Sequence, residues 1–395
     1  MSEIHGEVAP GFERVRDAFG NNFAQHGDVG AAFSLYKDGE KVVDLWGGIA
    51  DEDTERAWEE DTLTLVYSTT KGATAACAHL LAQRGELDFD APVAEYWPEF
   101  KANGKENVPV RWLLSHRVGL PVLDEKLTPE QVYAWDPICE ALAAKKPEWE
   151  PGTQHGYHAV TYGNLVGEVV RRISGKSVGT FFRDEIAGPL DAEFYIGLPE
   201  SEEHRMSKMI TFSLGATEEQ REMFKNFDLS ALPEDIRPIV AAFIDPNSLS
   251  SRALGVTEPA MDANSREMHA AEVPAANGIC TARGLARFYA GLVGEVDGVR
   301  ILTDETIANA TVEQSNGKDA VLMIPTRFGL GYFLPSSYSQ LMGPGSFGHS
   351  GAGGSLGLAD PEARVGFGYV MNKMQANLGG DARTTDLIAA VKASL

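Results

Sequence analysis

The sequence predicts an α/β fold: an antiparallel sheet flanked by helices, with a mostly helical domain inserted into it. Three observations predict this fold. Residues 30–48, GAAFSLYKDGEKVVDLWGG, alternate apolar and polar positions on both sides of an Asp-Gly pair, a strong hairpin signal. The centre of the chain instead repeats its apolar residues every three or four positions, the helical period. Beyond residue 345 the pattern returns to short apolar runs separated by glycine-rich turns. Strands near both ends can then share one sheet, with the central helices beside it.

The elements follow in order along the 395 residues, a length that suits two domains, or one with a large insertion, at roughly 100–200 residues each. After the hairpin, DTLTLVYSTTKG leads into a helix that ends near Gly85. TPEQVYAWDPICEALAAKK, AVTYGNLVGEVVRRISG and KSVGTFFRDEIAGPL are helical in period, with Gly or Pro at their ends. Residues 200–274 are polar and irregular, with helices expected at TEEQREMFKNF and PEDIRPIVAAF. TARGLARFYAGLVG returns to a clear helix, FGHSGAGGSLGLAD and ARVGFGYVMN read as strands joined by tight turns, and GDARTTDLIAAVKASL closes the chain as an amphipathic helix. The predicted boundaries are 1–66 and 275–395 for the α/β domain and 67–274 for the helical domain. A site is expected in the cleft between them.

Composition narrows the function. Lysine and arginine total 34 against 57 aspartates and glutamates, a net charge of −23. That balance argues against nucleic acid and anionic membrane surfaces as partners, since both select basic patches. No run of about 18 apolar residues suggests a membrane span. The opening MSEIHGEVAPGFERV has neither the basic nor the apolar part of a secretory signal, so a cytoplasmic location is expected. Cys77, Cys139 and Cys280 are far apart and form no Cys/His cluster. Neither a metal nor a cofactor is expected.

Ser-x-x-Lys occurs at Ser34, Ser68 and Ser315. Ser34 lies in an alternating strand, where residues three apart face opposite sides. Ser315 lies in a polar, turn-like stretch. Ser68 alone is expected to open a helix, where residues three apart share a face and backbone N–H groups favour a developing oxyanion. Two readings are open at this point. One is a serine cap beside a solvated lysine; the other is a nucleophile and its base, which requires the Lys71 ammonium to be depressed by burial. EPGTQHGYHAVTYGNLVGEVV places Tyr157 just ahead of a helix, either an ordinary half-buried tyrosine or a proton relay. GHSGAGGSLG, residues 348–357, carries five glycines, as suits a strand whose backbone passes close to a ligand.

Taken in order, Ser-x-x-Lys at 68–71, LLSH at 113–116, EPG followed by Tyr157, and a C-terminal HSG at 349–351 resemble the serine β-lactamase and penicillin-binding-protein superfamily. The similarity is greater to the family VIII carboxylesterases and related class C-like serine hydrolases. The resemblance implies a β-lactamase/transpeptidase-like fold. It also implies Ser68 as nucleophile, Lys71 as proton acceptor, and Tyr157 as partner in acid–base work. His349, Ser350 and Gly351 would contact substrate, and the backbone N–H groups of Ser68 and Ala352 would form an oxyanion hole. Two departures bear on substrate: Ala159 stands where the superfamily has asparagine, and His349 where it has a lysine that meets carboxylates. Small neutral esters are therefore the expected substrates. β-Lactams, D-amino-acid peptides, acyl transfer and a non-catalytic scaffold are the alternatives. Oligomeric state is not indicated. Two G-x-S-x-G decoys, at Ser177 and Ser355, lack a strand–turn–helix setting; Ser177 is expected to cap a helix and Ser355 to be structural. Tyr162 belongs to the literal Tyr-x-Asn but is expected more than a turn inside the helix.

Overall fold

The computed structural model describes residues 3–211, 234, 236–337, 339, 341–376 and 380–395. The strands are β1 (Ile4–Val8), β2 (Gly30–Lys37), β3 (Glu40–Asp51), β4 (Arg56–Ala57), β5 (Thr64–Leu65), β6 (Phe194–Ile196), β7 (Gly278–Cys280), β8 (Ser315–Lys318), β9 (Pro325–Phe328), β10 (Phe347–Ser350), β11 (Leu356–Asp360) and β12 (Val365–Met371). The main sheet has the order β1-β3-β2-β12-β11-β10, with β4 beside β3. Its pairings are antiparallel, as the sequence predicts. Asp38 and Gly39 make the β2–β3 turn with φ of 55° and 82°, the backbone that an Asp-Gly pair accepts.

The alternation in VGFGYVM of β12 sorts two layers. Val365, Phe367, Tyr369 and Met371 point into a core made with Phe33 and Leu35 of β2 and with the helices Glu13–Gln25 and Ala382–Lys392. On the other face, a Cβ at Gly366 or Gly368 would lie 2.4 Å from backbone atoms of Ala286 or Ala282. The helix Ala282–Val293 therefore rests directly on the sheet backbone, which only glycine permits. That face continues into the larger core, which holds the helices Thr70–Gln83 and Thr161–Ser174.

Several expectations are corrected. TPEQVYAWDPICEALAAKK forms two helices, Pro129–Tyr133 and Asp136–Ala144, broken where Trp135 takes φ of 69°. Ser315 opens strand β8, paired with β9, and does not lie in a turn. PEDIRPIVAAF contains the helix Arg237–Ile244; TEEQREMFKNF lies outside the described residues. Among the described residues, no helix is long and apolar enough to cross a membrane.

Candidate active site

Ser68 sits slightly earlier than expected. The helix begins at Thr70, and Ser68 occupies the turn before it. Successive bonds from Thr69 N to Val66 O, Thr70 N to Tyr67 O and Lys71 N to Ser68 O wind this turn into the helix. Tyr67 is held at φ of 45°, a conformation that a bulky residue keeps only where its surroundings enforce it. Those surroundings are visible. Val66 N donates to Gly278 O (2.8 Å), and Gly278 N donates to Thr70 Oγ1 (2.7 Å). On the opposite side Ser355 Oγ donates to Val66 O (2.9 Å) and lies 3.1 Å from Thr69 Oγ1. Ser355 is fully buried, so it serves as a tie between the serine turn and the C-terminal strands. Ser177 caps the helix Val178–Phe182 by accepting from Thr180 N. Both decoys therefore have structural work of the expected kind.

Lys71 is fully buried. Its Nζ lies 3.1 Å from Ser68 Oγ and donates to Ala159 O (2.6 Å) and Ala275 O (2.9 Å). Burial drives this amine well below the ordinary lysine range. Two carbonyls satisfy the two N–H bonds of a neutral amine, which leaves its lone pair on the Ser68 side. The tyrosine follows the same logic with the opposite sign. Tyr157 is buried, shares a hydrogen bond with Ser68, and is held above the usual phenol range by burial. Lys71 Nζ lies 4.8 Å from the Tyr157 ring centroid.

The resemblance motif LLSH contributes His116, whose role the sequence did not reveal. It adopts φ of 60° and packs its ring against Tyr157 (4.9 Å), Tyr162 (5.2 Å) and Phe328 (4.6 Å). His116 Nδ1 accepts from His158 N at 3.1 Å. His158 Nε2 in turn accepts from Leu120 N, and its Nδ1 donates to Gly156 O. Tyr162 is the second residue of its helix, not more than a turn inside as expected. Its ring centroid is 5.7 Å from Lys71 Nζ, and its buried hydroxyl has no hydrogen-bond partner among the described residues. Tyr157→Phe is expected to lower kcat by at least about 10²-fold, the usual cost of a lost acid–base group, whereas Tyr162→Phe should cost far less. Steady-state kinetics on the two purified variants decides it; a larger loss for Tyr162→Phe in a folded protein would reverse the roles.

The HSG stretch lies on β10 and the turn after it. His349 is buried, and its ring packs against Phe333 (4.7 Å) and Tyr157 (6.1 Å). Nδ1 donates to Ser350 O at 2.7 Å. Burial above all pushes the imidazole down to about 3, so it is neutral near pH 7. Ser350 and Ala352 are exposed. A Cβ on Gly351 would lie 2.2 Å from Val66 O and 2.3 Å from Ser355 Oγ, so glycine lets this strand approach the serine turn. The following turn is held by Arg383, fully buried, which donates to Gly353 O and to Asp28 Oδ1 (2.8 Å). A cavity of about 300 Å³ adjoins the strand, with Leu322, Ile324, Thr326, Phe333, Ser350 and Ala352 in its wall. Among the described residues, no His, Cys, Asp and Glu group could hold a metal.

A half-exposed serine beside a buried lysine and tyrosine, next to an antiparallel strand, defines a class of acyl-transferring serine enzymes, and comparison with known proteins specifies it. The Beta-lactamase family model matches residues 15–392. The chain belongs to that family. It is 35% identical over 385 residues to the esterase/beta-lactamase LipL of Mycobacterium tuberculosis, covering 95% of this chain and 84% of that protein. A solved family VIII carboxylesterase is 41% identical, with a TM-score of 0.85 and full coverage of both chains. A penicillin-binding-protein homologue from Caulobacter crescentus is 37% identical, also with a TM-score of 0.85 and full coverage of both.

Proposed function

We propose that this protein is a serine carboxylesterase that cleaves small neutral esters through an acyl-Ser68 intermediate. The observation that carries the reading is the buried Lys71 amine, 3.1 Å from Ser68 Oγ and flanked by two carbonyls. Ser68 Oγ adds to the ester carbonyl carbon while its proton passes to Lys71 Nζ. The resulting oxyanion lies against the N–H groups of Ser68 and Ala352; neither amide donates a backbone hydrogen bond among the described residues, which supports that role. The C–O bond to the alcohol then breaks. The Tyr157 phenol protonates the leaving oxygen and recovers its proton from Lys71. Water repeats the sequence on the acyl-serine. The esterase and carboxylesterase relatives support this reaction class.

Neutral esters are favoured by His349. An uncharged, buried imidazole offers no fixed cation to a substrate carboxylate. Ala159 supplies a methyl where an amide would bind an acylamino chain, and its carbonyl is already engaged by Lys71. A lost charge-assisted hydrogen bond is worth about 1.5–3 kcal/mol, or roughly 10–150-fold in discrimination. The wild-type ratio of kcat/KM for a short aryl ester over a cephalosporin is expected to exceed one, and His349→Lys should lower it. A wild-type ratio below one would favour the β-lactamase reading, which the name of the Mycobacterium tuberculosis relative keeps in view. An unchanged ratio in a folded His349→Lys protein would remove His349 from specificity.

A further inference from the structure

We infer that Asp319 is a positioning residue for the reaction, fixing Tyr157 against Ser68 and fastening it to the wall of the adjoining cavity. The inference rests on the role proposed for Tyr157. Asp319 lies between β8 and β9 and is fully buried. Its Oδ1 accepts three backbone N–H groups: Tyr157 at 2.9 Å, Val321 at 2.8 Å and Leu322 at 2.8 Å. Its Oδ2 accepts from Thr326 Oγ1 at 3.2 Å, and Thr326 Oγ1 lies 2.9 Å from His155 Nε2. A consistent chain of donors runs from His155 through Thr326 to the carboxylate. Its hydrogen-bond partners among the described residues all donate to it, which is the environment of an anion.

Two features tie this carboxylate to chemistry as well as to folding. Tyr157 has no regular secondary structure around it, so no helix or strand ladder sets its main chain. The Asp319 bond to Tyr157 N does that instead. The same oxygen also holds Leu322, and Oδ2 holds Thr326, both in the cavity wall. One side chain thus sets the distance between the phenol and the surface against which a substrate would lie. The position of a proton donor matters steeply to rate, because a displacement of about 1 Å can cost on the order of 10². The negative charge behind Tyr157 also opposes its ionisation, and keeps the phenol a donor.

A leaving-group comparison separates this role from a purely structural one. An alkyl alcohol must be protonated as it departs, whereas p-nitrophenolate leaves without a proton. For Tyr157→Phe, kcat/KM on an alkyl ester should fall at least about 10-fold more than on the matching p-nitrophenyl ester, the imprint of general-acid loss. Asp319→Asn keeps an acceptor at Oδ1 and should show the same leaving-group bias in weaker form. Added to Tyr157→Phe, it should cost little more, because two residues acting through one proton are not additive. Asp319→Ala, where folded, should exceed Asp319→Asn; where it does not fold, the asparagine variant decides. Equal losses on the two esters in Asp319→Asn, with a clear bias in Tyr157→Phe, would overturn this inference alone. Absence of bias in Tyr157→Phe itself would overturn both this inference and the proton-donor role beneath it.

Discussion

Replacing Ser68 with alanine is expected to lower ester turnover by at least about 10⁴-fold, the scale seen when a nucleophile is removed from a unit that acts together. Lys71 cannot substitute, because among the described residues no other hydroxyl hydrogen-bonds its amine. Ser355→Ala provides the control. Its hydroxyl is committed to Val66 O and Thr69 Oγ1, so its loss loosens the serine turn and should cost activity only partially. Ser177→Ala removes a helix cap typically worth about 1 kcal/mol and should leave kcat essentially intact. Intact-protein mass spectrometry of the wild type with a slowly turned-over ester should locate the acyl group on the peptide containing Ser68. An acylated Ser355 peptide, or a folded Ser355→Ala protein without activity, would displace Ser68 from its role.

The second large effect is on acid stability. Five histidines are buried and pulled down: His79 to about 4, His158 and His349 to about 3, His116 well below its ordinary value and His155 below it too, with burial the main cause in each. Unfolding returns each to an ordinary value near 6.5. Between pH 6.5 and about 4 the unfolded chain therefore binds more protons at these sites, and stability falls as pH falls. Each histidine contributes up to about 1.4 kcal/mol per pH unit in that window. The carboxyls of Asp28 and Asp319, raised mainly by burial, act with the opposite sign. Two carboxyls against five histidines leave a net loss of several kcal/mol by pH 5, on the order of a domain's whole stability. Denaturant titrations at pH 7 and pH 5 measure it directly, since the midpoint should move sharply while the slope holds. Equal midpoints would show that these rings titrate in the folded protein.

How much of this was legible varies with the physics of each element. The β2–β3 hairpin announces itself through Asp-Gly and alternation, and the glycine-spaced β12 through its period of two. Ser68 and Lys71 were legible because a local spacing sets a local geometry, although the helix start shifts to Thr70 when Gly278 takes the Thr70 hydroxyl. β1 was not legible, since its three central residues face solvent and leave no alternation to read. Ser315 read as a turn because its strand is made by pairing with β9, a non-local event. Asp319 and His116 escaped for the same reason. A lone aspartate in NGKDAVLMIP has no spacing that points to Tyr157, and the φ of His116 is imposed from outside its own segment.

The place of β12 in the main sheet also governs when the enzyme can exist. Its residues pair with β2 from Val365 opposite Lys37 to Met371 opposite Ala31, so the interior of the sheet waits on a strand that lies far along the chain from β2. Until then the buried edge of β2 has no permanent neighbour, and such an edge invites wrong partners. HSG lies on the neighbouring hairpin, so its placement beside the serine turn and sheet closure arrive together. Refolding from denaturant should be slow, as long-range pairing demands, and activity should return in a single step with the sheet signal, with no active precursor.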